Sequence, residues 1–207
     1  YPAGILAGAE GDKPVNYLIG IDLGTSGTKT VLFDQNGAAI ASATVEYPLY
    51  QPKNGWAEQE PSDWWQAAAA TVRRVIDESG VAPEAIKGVG LSGQMHGLVI
   101  LDEKDEVIRP AILWNDGRTI EECDYLNHEI GKDKLSACTA NISFTGFTAP
   151  KLLWVEKNEP ENFAKIHKIM LPKDYIAYRL TGVHCTDVSD ASGMLLLDVK
   201  NRCWSKE

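Results

Sequence analysis

The sequence lacks several features that would assign the protein to a specialised class. Its four cysteines are far apart and form no C-x-x-C pair, which argues against a disulfide scaffold or a zinc ribbon and favours a reducing, cytoplasmic location. No apolar run approaches the ~18 residues that a membrane-spanning helix needs. Positive charge is also scarce, because 20 Lys and Arg stand against 29 Asp and Glu. An acidic surface repels phosphate backbones, so we expect neither a nucleic-acid nor a membrane partner.

What the sequence does contain is enough apolar surface for a core. Hydrophobic residues make up 44% and charged residues 24% of the 207 residues, a composition typical of globular proteins. At about 150 residues per domain, this length allows one large or two small domains. We interpret residues 1–15 as a flexible leader, because they are mildly apolar but lack the basic segment of a signal peptide. Residues 16–207 are expected to form one lobe.

The first half of this lobe predicts three strands and a helix. Strand-like runs cover residues 17–21, 29–33 and 38–46, and the tight turns between them require antiparallel pairing, since a parallel connection needs a long crossover. A helix is predicted to start at Pro61 and to end at Gly80. Its buried face is predicted from residues that recur at helical spacing: Trp65, Ala68, Val72, Val75, Ile76 and Ser79.

The second half alternates strands with helices. Short apolar runs predict strands at residues 88–92, 98–101 and 111–114. Helices are predicted over 172–180, from near Thr148, and from about Arg118 with an apolar side of Ile120, Cys123, Leu126 and Ile130. The tail, residues 183–199, predicts further strands, with Asp187 and Asp190 in turns between them. The fold class is therefore α/β, with a mixed sheet that opens with an antiparallel three-stranded meander and is flanked by helices.

The first candidate site is a strand that ends in a carboxylate and a loop of small polar residues. Residues 20–29 spell GIDLGTSGTK. Asp22 could hold Mg²⁺ through water, as that ion prefers. Glycine lets backbone N–H groups approach phosphate oxygens closely, so the phosphate-binding candidates are Gly24, Thr25, Ser26 and Lys29. No Gly directly precedes the Lys, so the loop is not a Walker A motif, and an ordinary hairpin turn with a capping Asp is the alternative.

Residues 88–93 spell a G-x-G-x-x-G pattern, but their context argues against a dinucleotide site. Such a fingerprint must open a helix, whose N-terminus faces the pyrophosphate. Here Gln94, Met95 and His96 lead into another apolar run. At a strand end these side chains can face a cleft, where an amide and an imidazole can bond to the hydroxyls of a polyol. A purely structural role for His96 is the alternative.

Residues 114–118, WNDGR, hold more polar functional groups than a connection needs. Asn115, Asp116 and Arg118 predict a sugar-binding edge with hydrogen-bond donors and acceptors. The alternative is a helix start at which Asp116 is the N-cap and Arg118 is solvated.

Together these motifs resemble those of the FGGY carbohydrate kinases. The opening GIDLGTSGTKT resembles the first phosphate loop of the actin, Hsp70 and sugar-kinase superfamily. Residues 146–155, with Lys157 and Asn158, fit a longer and more specific FGGY signature. Residues 93–97, 114–118 and 171–175 resemble the xylulokinase branch in particular. The resemblance covers about residue 17 to the end of the chain.

This resemblance implies an actin-like, ribonuclease H-like lobe and transfer of the ATP γ-phosphoryl group to the terminal hydroxyl of D-xylulose. Asp22 would help to position Mg²⁺ and phosphate, while Thr25, Ser26 and Lys29 would face the nucleotide. Sugar contacts are implied for Met95 and His96, and less directly for Asn115, Asp116 and Arg118. A place in the signature does not make Lys151 or Trp154 catalytic, since both could serve the fold alone.

The resemblance also implies a second lobe. The family's general base, an Asp, and most of the adenosine pocket belong to that lobe, so we expect this chain alone to be inactive. Apolar surface meant for the interlobe cleft could let two copies associate as a homodimer. Two alternatives stay open: a non-catalytic actin-like nucleotide-binding module, and an FGGY kinase for ribulose, gluconate or glycerol.

Overall fold

A computed structural model describes residues 15–206, so the expected leader lies almost entirely outside the described residues. The strands in chain order are β1 (Tyr17–Leu23), β2 (Gly27–Asp34), β3 (Ala39–Glu46), β4 (Glu58–Gln59), β5 (Ile86–Gly93), β6 (Val99–Leu101), β7 (Ala111–Ile112), β8 (Lys168–Met170), β9 (Leu197–Asp198) and β10 (Cys203–Trp204). The helices are α1 (Pro61–Ser79), α2 (Ile120–Asp124), α3 (Lys132–Thr139), α4 (Thr148–Asn158), α5 (Pro160–Phe163), α6 (Pro172–Thr181) and α7 (Val188–Ala191). Within this range, no helix is both long and apolar enough to cross a membrane.

A mixed four-stranded sheet with the order β3-β2-β1-β5 organises the fold. Strand β2 lies between β1 and β3 and pairs antiparallel with both, as the tight turns predicted. Strand β5 is parallel to β1, and α1 supplies the crossover that such a connection requires. The pairing places Lys29 and Ser92 directly beside Asp22, one on each side.

The two faces of the sheet have different surroundings because the side chains of a strand alternate. Ile19, Ile21 and Leu32 point to the face that packs with α1, where they share one buried cluster with Trp64 and Val75. The other face is open near the end of β1. That alternation buries one side of each strand and leaves the Asp22 side chain exposed.

The buried face of α1 differs from the prediction by one residue at its start. Trp64 is fully buried, whereas Trp65 is only partly buried and lies under the guanidinium of Arg179. Trp64 also donates its indole N–H to Oε1 of Gln59 at 3.0 Å. Two adjacent tryptophans both fit a helical pattern, and the polar partner that selects the first lies outside the helix.

The helix predicted from Arg118 is not continuous. α2 ends at Asp124, a π-helical segment covers Tyr125–Gly131, and α3 follows. A π-helical segment changes the angular phase of the chain, so the predicted apolar side does not form one face. Cys123 is buried, but Ile120 and Ile130 are exposed.

The predicted strands of the tail are wrong over most of its length. Asp187 is the N-cap of α7 and accepts the backbone N–H groups of Ser189 and Asp190, so neither aspartate lies in a turn between strands. A 3-10 turn, Ser192–Met194, follows α7, and only the two residues of β9 are extended as a strand. An Asp before a run without proline is a helix-start signal, which the alternation of apolar residues concealed.

Replacing Trp64 and Trp65 separately tests which face of α1 is buried. We expect Trp64→Ala to lower the free energy of unfolding by about 3–5 kcal/mol, because it removes a fully buried aromatic side chain. Trp65→Ala should lower it by less than half as much. Chemical denaturation of both variants measures the difference, and equal losses would contradict the assigned face.

Candidate functional site

The hairpin between β1 and β2 places a carboxylate beside an open concavity. This cavity, about 390 Å³ in volume, has Asp22, Lys29 and Ser92 among its lining residues. Gly20 and Gly90 pair across β1 and β5 and also line it. Glycine at both positions leaves backbone uncovered there, which a ligand can approach closely, while Val31 and Phe33 also line the cavity.

The loop after Asp22 is held against β3. A Cβ at Gly27 would lie 2.7 Å from the carbonyl oxygen of Val45, so the close approach of the two strands requires glycine there. Tyr47 donates its hydroxyl to the carbonyl of Gly24, and burial raises the pKa of Tyr47 to about 12. The loop that carries Thr25 and Ser26 therefore has a fixed backbone.

The amide of Gln59 joins this loop to the second motif. Its Nε2 donates to the carbonyl of Thr25 at 2.7 Å, and its Oε1 accepts from Nε2 of Gln94 at 2.9 Å. Trp114 donates its indole N–H to Oγ1 of Thr25 at 3.0 Å. Three segments that the sequence suggested separately thus form one wall. Sequence reasoning missed Gln59, which no local motif marks.

Met95 and His96 lie at the end of β5 with different exposure. Met95 is 53% exposed, whereas the imidazole of His96 is half-buried and tilted against the ring of Phe147, with centroids 4.5 Å apart. Burial, followed by the charge of Lys151, lowers the pKa of His96 to about 4. The imidazole is therefore neutral near pH 7, with one donor and one acceptor nitrogen, of which Nδ1 is buried.

Lys151 holds the backbone next to this pair. Its ammonium is fully buried and donates to the carbonyls of His96 at 2.8 Å and Gly146 at 2.6 Å. Burial lowers the pKa of Lys151 to about 7, although the negative charge of Asp116 opposes the shift. Lys151, which lies in the FGGY signature, therefore supports the backbone of His96 in the candidate sugar-binding segment.

Asp116 and Arg118 use their polar atoms on the protein itself. Asp116 is 2% exposed and accepts the backbone N–H of Ala57 at 2.6 Å and two N–H groups of the Arg118 guanidinium at 2.9 and 2.8 Å. That guanidinium also pairs with Glu58 and lies 3.7 Å from the ring centroid of Trp56.

The alternative interpretation of residues 114–118 was a helix start with Asp116 as the N-cap and a solvated Arg118. It is wrong, because Thr119 is the N-cap of α2 and the Arg118 side chain is buried. Of the three predicted sugar contacts only Asn115 is exposed, next to the exposed Trp114. Direct contact of Asp116 or Arg118 with a ligand stays a prediction.

A cluster of one lysine and three aspartates, which the sequence did not suggest, lies beside the end of β5. Lys173 pairs with Asp174 at 2.6 Å, Asp187 at 2.8 Å and Asp190 at 3.1 Å. A Cβ at Gly93 would lie 3.2 Å from Cβ of Lys173. The cluster joins α6 and α7 to the strand that carries the Gln94–His96 segment.

The buried ammonium of Lys151 predicts a specific pH dependence of stability. Because its folded pKa of about 7 is lower than the ordinary 10.5, the unfolded chain binds more protons between these values, and stability rises with pH there. Between about pH 6.5 and 9.5 the free energy of unfolding should rise by up to about 3 kcal/mol more in the wild type than in Lys151→Met. Denaturant titrations at both pH values measure this difference, and parallel pH profiles would contradict a buried charge.

Comparison with known proteins gives a family match over almost the whole chain. Residues 17–207 match the N-terminal domain of the FGGY family of carbohydrate kinases. A xylulose kinase of Escherichia coli (strain K12) is 45% identical over 187 residues, which cover 90% of this chain and 38% of that protein. The chain thus spans about two fifths of the length of the curated relatives it matches.

Solved structures show the same fold. A xyloylose kinase from Brucella ovis has a TM-score of 0.88 at 43% identity, covering 92% of this chain and 39% of that one. A gluconate kinase from Lactobacillus acidophilus has a TM-score of 0.87 at 31% identity, covering 93% and 38%. The predicted fold class is confirmed as the actin-like fold of these kinases. The chain belongs to the FGGY family of carbohydrate kinases, whose N-terminal domain it matches over almost its whole length.

Proposed function

We propose that this chain is the N-terminal lobe of an ATP-dependent kinase that phosphorylates the terminal hydroxyl of D-xylulose to give D-xylulose 5-phosphate. The observation that supports this most is the hydrogen-bonded path from Thr25 through Gln59 to Gln94. It connects the phosphate loop to the segment that carries Met95 and His96. A phosphoryl donor and its acceptor must lie side by side, and this wall can hold both.

The chemistry of the second segment suits a sugar. Met95 and Trp114 are exposed and apolar, and such surfaces pack against the carbon skeleton of a polyol. The neutral imidazole of His96 and the exposed amide of Asn115 supply donors and acceptors for its hydroxyls. The curated relatives named xylulose kinase favour a ketopentose, and the gluconate kinase structure makes gluconate the second candidate.

The residues around Asp22 fit a nucleotide that brings its own Mg²⁺. Within the described residues no group of three or more metal-ligating side chains forms a closed cage. A single exposed carboxylate suits Mg²⁺, which keeps water and phosphate ligands. When bound, the ion would neutralise charge on the phosphates. Asp22 would hold it, while Lys29 and the fixed backbone of Thr25 and Ser26 would orient the phosphate oxygens.

The proton of the sugar hydroxyl needs an acceptor outside these motifs. With a pKa of about 4, the imidazole of His96 is a weaker base than an ordinary histidine near pH 7. Phosphoryl transfer also needs a cleft closed against water, whereas Asp22 and Trp114 are both exposed. We therefore propose that the base and the other wall are supplied by a second lobe.

Ligand binding to the chain tests the assignment of the two segments. We expect D-xylulose to raise the melting temperature without nucleotide, and His96→Ala to weaken that binding at least tenfold. Asp22→Asn should weaken Mg²⁺·ATP binding and leave sugar binding unchanged. The matched controls are His128→Ala and Asp77→Asn, both at exposed positions. Binding of gluconate or glycerol instead of D-xylulose would make that compound the proposed substrate. Binding of nucleotide alone would favour a non-catalytic module.

A turnover measurement tests the need for a second lobe. We expect the purified chain, given Mg²⁺·ATP and D-xylulose, to form no D-xylulose 5-phosphate above the uncatalysed background. A coupled assay for ADP with direct detection of the sugar phosphate makes the measurement. Sustained product formation would show that the chain holds a complete catalytic site.

A further inference from the structure

Gly193, in the 3-10 turn after α7, lies directly against the imidazole of His96. A Cβ at this position would lie 2.6 Å from Nδ1 of His96 and closer still to Cε1. Non-bonded carbon and nitrogen atoms do not approach so closely, so any other residue at 193 must displace the ring. The contact joins two segments almost a hundred residues apart in the sequence.

The backbone at this position does not itself require glycine. The described glycines with positive φ are Gly37, Gly55, Gly80, Gly131 and Gly182, and Gly193 is not among them. A glycine in a helical turn is less stable than alanine by roughly 0.5–1 kcal/mol. The three nearest atoms that a Cβ would meet there all belong to the His96 side chain. The imidazole is therefore the feature that explains this glycine.

His96 is fixed from its other sides as well. Its φ is +61°, a left-handed conformation that is uncommon for residues other than Gly, although Asn, Asp and His adopt it more often than the rest. Lys151 and Thr148 donate to its carbonyl oxygen at 2.8 and 3.1 Å, and Phe147 lies against the ring.

The segment that carries Gly193 is anchored in turn. Lys173, on α6, pairs with Asp187 and Asp190 of the segment 187–194. Ala191 and Met194 are buried in a cluster with Leu171. Gly193 is therefore presented to the imidazole by a segment with its own packing, not by a loose loop.

We propose that Gly193 is a positioning residue, whose missing side chain lets the segment 187–194 close over the imidazole of His96 and hold it in one orientation beside Met95. The held ring stays uncharged, and because its Nδ1 is buried beneath this segment, Nε2 is the nitrogen left to bond with a ligand. The sugar as that ligand rests on the proposed function, but the positioning itself does not.

Titration of His96 followed by NMR tests whether Gly193 keeps the imidazole buried. In the wild type, the ring signals of His96 should not shift between about pH 5 and 8, since its pKa is about 4. In Gly193→Ala the displaced ring should titrate with a pKa nearer the ordinary 6.5. Gly88→Ala is the control, because its Cβ would meet only the flexible end of Leu18. A His96 that remains untitrated in folded Gly193→Ala would overturn the proposal.

A double-mutant cycle covers the case in which Gly193→Ala folds poorly. Removing the ring makes room for a Cβ at 193, so the added methyl should be tolerated in the His96→Ala background. We expect Gly193→Ala to raise the unfolding equilibrium constant at least tenfold with His96 present and less than threefold in that background. Equal effects in both backgrounds, or a double variant that also fails to fold, would overturn the proposal.

Sugar binding separates this proposal from the proposed function. Gly193→Ala should weaken D-xylulose binding about as much as His96→Ala, and the double variant should bind no more weakly than either. If the wild type binds no D-xylulose, the proposed function fails, while the titration and the cycle still decide the role of Gly193. A Gly193→Ala variant with wild-type sugar affinity would contradict the role of the held ring in binding.

Discussion

The buried amide of Gln59 sets the geometry on which the candidate site depends. It is 1% exposed, donates to the carbonyl of Thr25, and accepts from both Trp64 and Gln94. A buried amide without partners is strongly destabilising, so each of these groups is confined to one place. The loop after Asp22, the start of α1 and the end of β5 therefore have fixed relative positions.

Those parts of the fold that depend on local signals were predictable from the sequence. The Asn36–Gly37 turn and the short loop after Asp22 require antiparallel strands, and Gly80 and Gly182 end their helices with positive φ. The π-helical segment was not predictable, because a shift of helical phase leaves no distinct pattern. Nor was α7, since its four residues include just two apolar ones, Val188 and Ala191, which are too few to define a helical period.

The candidate site shows the same division. The stretch 20–29 carries its own signal, since a carboxylate and small residues at a strand end are recognisable locally. The partners that fix this stretch lie far away in sequence: Gln59 contacts Thr25, and Gly193 contacts His96. Such pairs come together only through the tertiary fold, so no spacing rule finds them. The alternative interpretation of residues 114–118, a helix start with a solvated Arg118, was wrong for the same reason, because the sequence does not show that Glu58 and Trp56 contact Arg118.

The left-handed backbone at His96 restricts which residues can occupy this position, independently of the chemistry that the imidazole offers a ligand. Branching at Cβ is strongly disfavoured at a φ of +61°, so Val, Ile or Thr would disturb the turn before any ligand interaction is considered. Asn tolerates this conformation and keeps a donor and an acceptor. A library at this position would therefore be enriched in Asn and Gly for conformational reasons, and ligand preference could be compared fairly only among residues that the turn admits.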